Sequence, residues 1–74
     1  MRIVFSEHSI AQNKIRRIPI SKIKAVIQTP DRVKPSFRNR NLYQKAFGSK
    51  ILEVVAIIEG REIVVITQYY LEVK

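Results

Sequence analysis

The chain has no cysteine, one histidine and two glycines among its 74 residues. Without cysteine there is neither a disulfide framework nor a thiolate metal site, so stability has to come from packing. The glycines do not form a phosphate-cradling loop, and no nucleophile elbow or metal-spaced His cluster is present. Glu53, Glu59, Glu62 and Glu72 lie in or beside strand-like runs with no histidine neighbour in sequence, which sets metal-assisted hydrolysis aside and leaves no cofactor expected. No apolar run approaches the ~20 residues of a membrane span. The apolar start Ile3-Val4-Phe5 is also too short for a signal-peptide core, and the sequence reads as a soluble cytoplasmic protein.

Acidic residues are scarce as well. Six Asp and Glu stand against fourteen Lys and Arg, a net charge of +8 that points to an acidic partner such as nucleic acid or an acidic protein. The imbalance is local. Lys14 to Lys50 contains eleven Lys and Arg against the single acid Asp31, whereas the residues on either side are close to neutral. One part of the molecule carries the positive field, either as a binding face or as a solvating surface. A chain this short buries only about 60% of the surface that its unfolded form exposes. It therefore reads as one domain over residues 1–74, with any active site a shallow groove.

The apolar pattern predicts an α+β fold in the order β-α-α-β-β-β, a helical hairpin packed on an antiparallel sheet. Arg2 to Phe5 suits a strand, and Ser6 suits the N-cap of a helix whose apolar stripe is Ala11, Ile15 and Ile18, with Gln12, Asn13, Lys14 and Arg17 mostly facing water. Pro19 interrupts the pattern. Ser21 can then cap a second helix, with Ile20, Ile23, Val26 and Ile27 at helical spacing until Thr29-Pro30. Arg32 to Phe37, broken by Pro35, reads as at best an edge strand, and Asn41 to Phe47 as a better one. Gly48-Ser49 and Glu59-Gly60 mark the turns around two nearly continuous apolar strands, Ile51–Ile58 and Ile63–Tyr70. Such strands are covered on both faces, by the helices and by a partner or a second copy, so a homodimer through the apolar sheet is one expectation.

Cleavage of RNA by the substrate's own 2′-hydroxyl needs no cofactor. It needs a base, an acid and cations at the phosphate, and His, Lys, Arg and Tyr can share those roles. His8, in the first turn of its helix where the dipole favours neutral imidazole, suits the base; its alternative is a structural side chain bonded to the sheet backbone. Arg16 follows eight residues later, a rise of about 12 Å, so the two flank a groove rather than touch. Arg16 equally suits a C-terminal cation that satisfies the last carbonyls of the helix. Arg38, Arg40, Tyr43 and Lys45 interleave cations with an aromatic, as phosphate holders around a stacked base or as edge-strand protection. Lys14 and Arg17 extend the same basic field. Thr67 and Tyr69 end a row that begins with Ile63 and Val65, where a hydroxyl needs a partner in the fold or a site.

His8-Ser9 with Arg16-Arg17-Ile18-Pro19 and Ile23, then Thr29-Pro30-Asp31-Arg32-Val33, Gly48-Ser49-Lys50-Ile51-Leu52-Glu53-Val54-Val55 and Ile63–Tyr69, resembles the small prokaryotic domain-of-unknown-function 4258 family over nearly the whole chain. That family carries a His-Ala signature followed by Arg-Gly-Ile. Here Ser9 stands for the Ala, Gln12 for a common Arg, and Arg17 for the Gly of the turn. The family is thought to be distantly related to RelE-like toxins. The resemblance implies that His8, Arg16, Thr67 and Tyr69 line an active groove; an RNase toxin would in turn be neutralised by an acidic antitoxin that covers the basic groove.

The leading expectation is thus a toxin-like, RNA-binding endoribonuclease, with His8 as base, Arg16 and Arg40 as phosphate clamps, Tyr69 or Lys45 as acid, and Lys14, Arg17, Arg38 and Tyr43 as nucleic-acid contacts. The other is a non-catalytic module that binds nucleic acid or an acidic protein through the same face.

Overall fold

The β-branched run Arg2–Phe5 forms strand β1, and Ser6 starts helix α1 (Glu7–Arg16) by accepting the Ser9 backbone N–H on its hydroxyl at 3.1 Å. The computed structural model describes residues 1–72, in which helix α2 (Ile20–Gln28) and strands β2 (Arg32–Pro35), β3 (Arg40–Phe47), β4 (Lys50–Glu59) and β5 (Glu62–Glu72) complete the chain. The five strands make one sheet in the order β1-β5-β4-β3-β2. Both helices lie on one of its faces, so the α+β class and the helices-on-sheet arrangement hold. No helix among the described residues is long and apolar enough to cross a membrane.

One detail extends the sequence reading and two correct it. Arg32–Pro35 is a paired strand: Pro35, which cannot donate to a ladder, sits on the outermost strand, where half of the backbone groups need no partner. The sheet is antiparallel from β2 to β5, but β1 joins β5 in parallel; all the other elements lie between these two strands in sequence, so no tight turn constrains their direction. Helix α2 starts one residue before Ser21. Pro19 is its N-cap, its carbonyl accepting from Lys22 and Ile23, and there is no side-chain cap.

The core comes mainly from α2 and the two central strands. Ile23, Val26, Leu52, Val54, Ala56 and Val65 are fully buried, with Ile18, Ile27 and Tyr43 around them. Helix α1 docks differently. Of the expected stripe, only Ile18, beyond the end of the helix, reaches the core: Ala11 is exposed and Ile15 is 85% exposed. Ser9 is the one buried residue of α1, and Gln12 and Asn13, expected in water, are half-buried.

Polar groups explain that orientation. The Ser9 hydroxyl donates to Gln68 Oε1 at 2.5 Å, and Gln68 Nε2 returns a bond to the Ser9 carbonyl at 3.1 Å, both groups being inaccessible to water. Asn13 closes the end of the helix by donating from Nδ2 to the Ile18 carbonyl and accepting the Ile18 N–H. These bonds cannot be exchanged for water without exposing the groups beneath, so they fix the rotation of α1.

Arg17 ends α1 in the left-handed region at φ 54°, where a Cβ costs about 1 kcal/mol and glycine is favoured. Arg17→Gly should stabilise the fold by about 1 kcal/mol in urea unfolding. Ser9→Ala should cost about 1–3 kcal/mol, because Gln68 keeps a buried acceptor without a donor. Adding Gln68→Leu to Ser9→Ala should recover much of that loss, since both polar partners are then gone.

Candidate active site

The face of the sheet away from the helices is where the polar side chains gather. Register places Gln44 of β3 opposite Glu53 of β4 and Glu53 opposite Tyr69 of β5. The row is bonded throughout: Gln44 Nε2 donates to Glu53 Oε1 at 2.6 Å, and the Tyr69 hydroxyl donates to Glu53 Oε2. Glu53 is only 6% exposed, so these two donors replace the water that a carboxylate would otherwise need.

A β-bulge aims the row. Val55 pairs with Thr67 but Ala56 pairs with Val65, so β5 carries one extra residue, Ile66. Without it, Thr67 and Tyr69 would share the helix face with Ile63 and Val65, as strict alternation expects. The extra residue inverts the alternation. Gln68 enters the core, and Thr67 and Tyr69 move to the open face.

Strand β1 stops at Phe5, so beyond Val65 the outer edge of β5 is bordered by α1. Arg16 uses that edge. Its Nη1 donates to the Gln68 carbonyl at 2.9 Å, to Thr67 Oγ1 at 3.1 Å and to Gln12 Oε1 at 2.7 Å, and its Cζ lies 5.9 Å from the Tyr69 ring centroid. Thr67 in turn donates to Gln12. The Nε and Nη2 donors of Arg16 have no protein acceptor among the described residues. They are available to an anion such as a phosphate.

His8 is exposed, with no hydrogen bond to the protein among the described residues. The alternative role for it, a bond to the sheet backbone beneath the helix, is taken by Ser6, which bonds the Ile66 carbonyl. His8, Gln12 and Arg16 stand four residues apart and form one row along α1. The Arg16 head bonds the side chain of Gln12, which stands one turn nearer to His8 than Arg16 itself.

The other expected site residues lie elsewhere. Lys45 points to the helix face, donating from Nζ to the Thr29 carbonyl at 2.8 Å and lying 4.0 Å from Asp31, so it ties down the end of α2 across the sheet from Tyr69. Tyr43 is 8% exposed and packs in the core, where its ring cannot stack on a base. Lys14 lines a groove of about 180 Å³ between the helices with Ile10 and Ile20, and Arg17 forms the C-cap of α1. Arg38 stands at the β2–β3 turn, and Arg40 on the open face, half-buried.

Glu53, Gln44 and Gln12 were not among the expected site residues. The signal for Glu53 was present: one carboxylate in the apolar run Ile51–Ile58 needs a partner, because a buried charge cannot stand alone. Comparison with family models, with curated proteins and with solved structures finds no match for this chain.

Burial, the bond to Glu53 and the charge of that carboxylate push the Tyr69 phenol up from 10.0 to about 12, against a lowering by Arg16. At neutral pH it is a proton donor. Below pH 10 the folded and unfolded chains both hold this proton, so the contribution to stability is complete; as pH rises from 10 to 12 the unfolded chain loses it first and the contribution disappears. Tyr69→Phe should therefore show a smaller fall in urea stability over that window than the wild type. In an absorbance titration it should lack the phenolate signal that appears near pH 12.

Proposed function

We propose that this protein is a metal-independent endoribonuclease acting in the cytoplasm, with its site at the edge of the open sheet face where α1 meets β5. The observation that carries this reading is Arg16, which gathers Gln12, Thr67 and Tyr69 around one guanidinium while two of its donor groups stay available. A phosphodiester held by those donors would lie between the imidazole level of His8 and the Tyr69 phenol.

The chemistry follows from the groups. His8 takes the proton of the 2′-hydroxyl, the 2′-oxygen attacks phosphorus, and the bond from phosphorus to the 5′-oxygen breaks. Arg16 neutralises the charge that grows on the phosphoryl oxygens. The departing 5′-oxygen, more basic than a phenolate, takes the Tyr69 proton, the O–H turning from Glu53 to the leaving oxygen, and a 2′,3′-cyclic phosphate and a 5′-hydroxyl result. Glu53 orients the phenol, and Thr67 and Gln12 hold the guanidinium. The resemblance to the toxin-related family supports the same assignment of His8, Arg16, Thr67 and Tyr69. An acidic protein is the matching inhibitor for a chain of charge +8.

A second reading, a nucleic-acid- or acidic-protein-binding module without catalysis, is favoured by one observation: no side chain among the described residues orients His8, whereas a general base is usually held by a third group. Incubation with a mixed RNA pool separates the two. New fragments ending in 2′,3′-cyclic phosphate are expected, with His8→Ala lowering the rate by about 10²–10⁴-fold. Arg16→Ala should abolish the fragments. A folded protein that shifts RNA on a gel without producing fragments would support the binding module instead.

A further inference from the structure

Arg32 to Arg40 holds four cations and no acid, and this stretch is β2 and the turn of the β2–β3 hairpin, up to the first residue of β3. Every residue of β2 is exposed. The ion pairs among the described residues are Arg2 with Glu62 and Lys45 with Asp31, so none of the four hairpin cations is neutralised. At the tip, Arg38 and Asn39 both take left-handed backbone and close a turn in which the Arg40 N–H bonds the Phe37 carbonyl. The turn leaves the Phe37 side chain 85% exposed. An aromatic ring held in water beside unneutralised cations matches what a stacked base and its flanking phosphates need.

Register gives the hairpin a direction. Arg32 lies opposite Gln44, and Lys34 opposite Leu42, so with Arg40 they belong to the open face. One continuous row, Arg32–Gln44–Glu53–Tyr69, then crosses four strands to the ring beneath Arg16. Strand spacing of ~4.8 Å and a rise of ~3.3 Å per residue put the hairpin tip roughly 20 Å from Tyr69 on the same face. A hairpin that served only to insert into a lipid surface would not need cations leading back across the sheet to a polar site.

We propose that the β2–β3 hairpin is a second nucleic-acid site, specific for unpaired strands: Phe37 stacks on an exposed base, and Arg32, Lys34, Arg38 and Arg40 hold the phosphates that lead toward Arg16. It rests on the ribonuclease reading for the identity of the ligand. The requirement for a single strand follows from the ring, because a base inside a duplex already has both faces stacked. The hairpin takes the role that the sequence had suggested for Tyr43, whose ring is buried.

The chain has no tryptophan, so Phe37→Trp introduces a single indole at the tip, excited at wavelengths where the three tyrosines do not absorb. The probe is an unstructured 2′-O-methyl RNA of about twelve nucleotides, within the range bound by small single-strand modules. Having no free 2′-hydroxyl, it cannot be cleaved. The unpaired strand should quench the indole emission of the F37W variant, and the same strand in a duplex should not. By anisotropy, Phe37→Ala should weaken single-strand binding about tenfold and leave duplex binding unchanged. Arg38→Ala should flatten the salt dependence of binding by about 0.7 in slope. The proposal is overturned if emission does not change with the strand, or if Phe37→Ala binds it as tightly as the wild type. It is also overturned if heparin produces the same change, which would indicate charge alone, or if phosphatidylglycerol vesicles produce it and RNA does not. Failure of the two readings is distinguishable: absent cleavage with intact quenching of the F37W variant counts against the active site, and intact cleavage with unaltered Phe37→Ala binding counts against the hairpin.

Discussion

The reciprocal bond pair between Ser9 and Gln68 is the interaction on which the candidate site depends. Helix α1 buries no large apolar side chain of its own, so its position on the sheet is set by two hydrogen bonds in a dry environment and by Asn13 at its end. Rotating the helix would leave buried donors and acceptors without partners. Held in this orientation, it presents Gln12 and Arg16 to the edge of β5, leaves His8 one turn before Gln12 in water, and turns Ile15 to solvent. Apolar packing would have tolerated more rotational freedom. The polar clasp sets where the guanidinium can reach.

The same glutamine links the helix to the bulge. Only because β5 carries the additional residue Ile66 does Gln68 point inward while Thr67 and Tyr69 point outward. The bulge and the clasp are therefore coupled: the residue that anchors the helix and the two that complete the site alternate along one strand. The early end of β1 supplies the third condition, an edge of β5 whose Gln68 carbonyl is free to accept Arg16. Three local features produce one constellation from residues far apart in sequence.

Much of the fold was legible in the sequence, because helix α2 and strands β3 to β5 follow simple apolar periods and their turns carry glycine or proline. Ser6 as the N-cap and Thr29-Pro30 as the stop of α2 were legible for the same local reasons. The orientation of α1 was not, since the usual rule seeks an apolar stripe and this helix docks through Ser9. The faces of Thr67 and Tyr69 were not legible either: a bulge without glycine leaves no local signature, yet it reverses every side chain beyond it. Among the cations and aromatics of the middle segment, sequence spacing did not separate Tyr43, which fills the core, from Phe37, which stands in water.

The most direct measurement of the central claim is a titration of isotope-labelled protein with uncleavable 2′-O-methyl RNA, followed by amide chemical shifts. The account predicts that the perturbed residues fall on the open face, around Arg16, Thr67 and Tyr69 and along the hairpin from Arg32 to Arg40. Shifts confined to the groove between the helices, around Lys14 and Ile20, would contradict it.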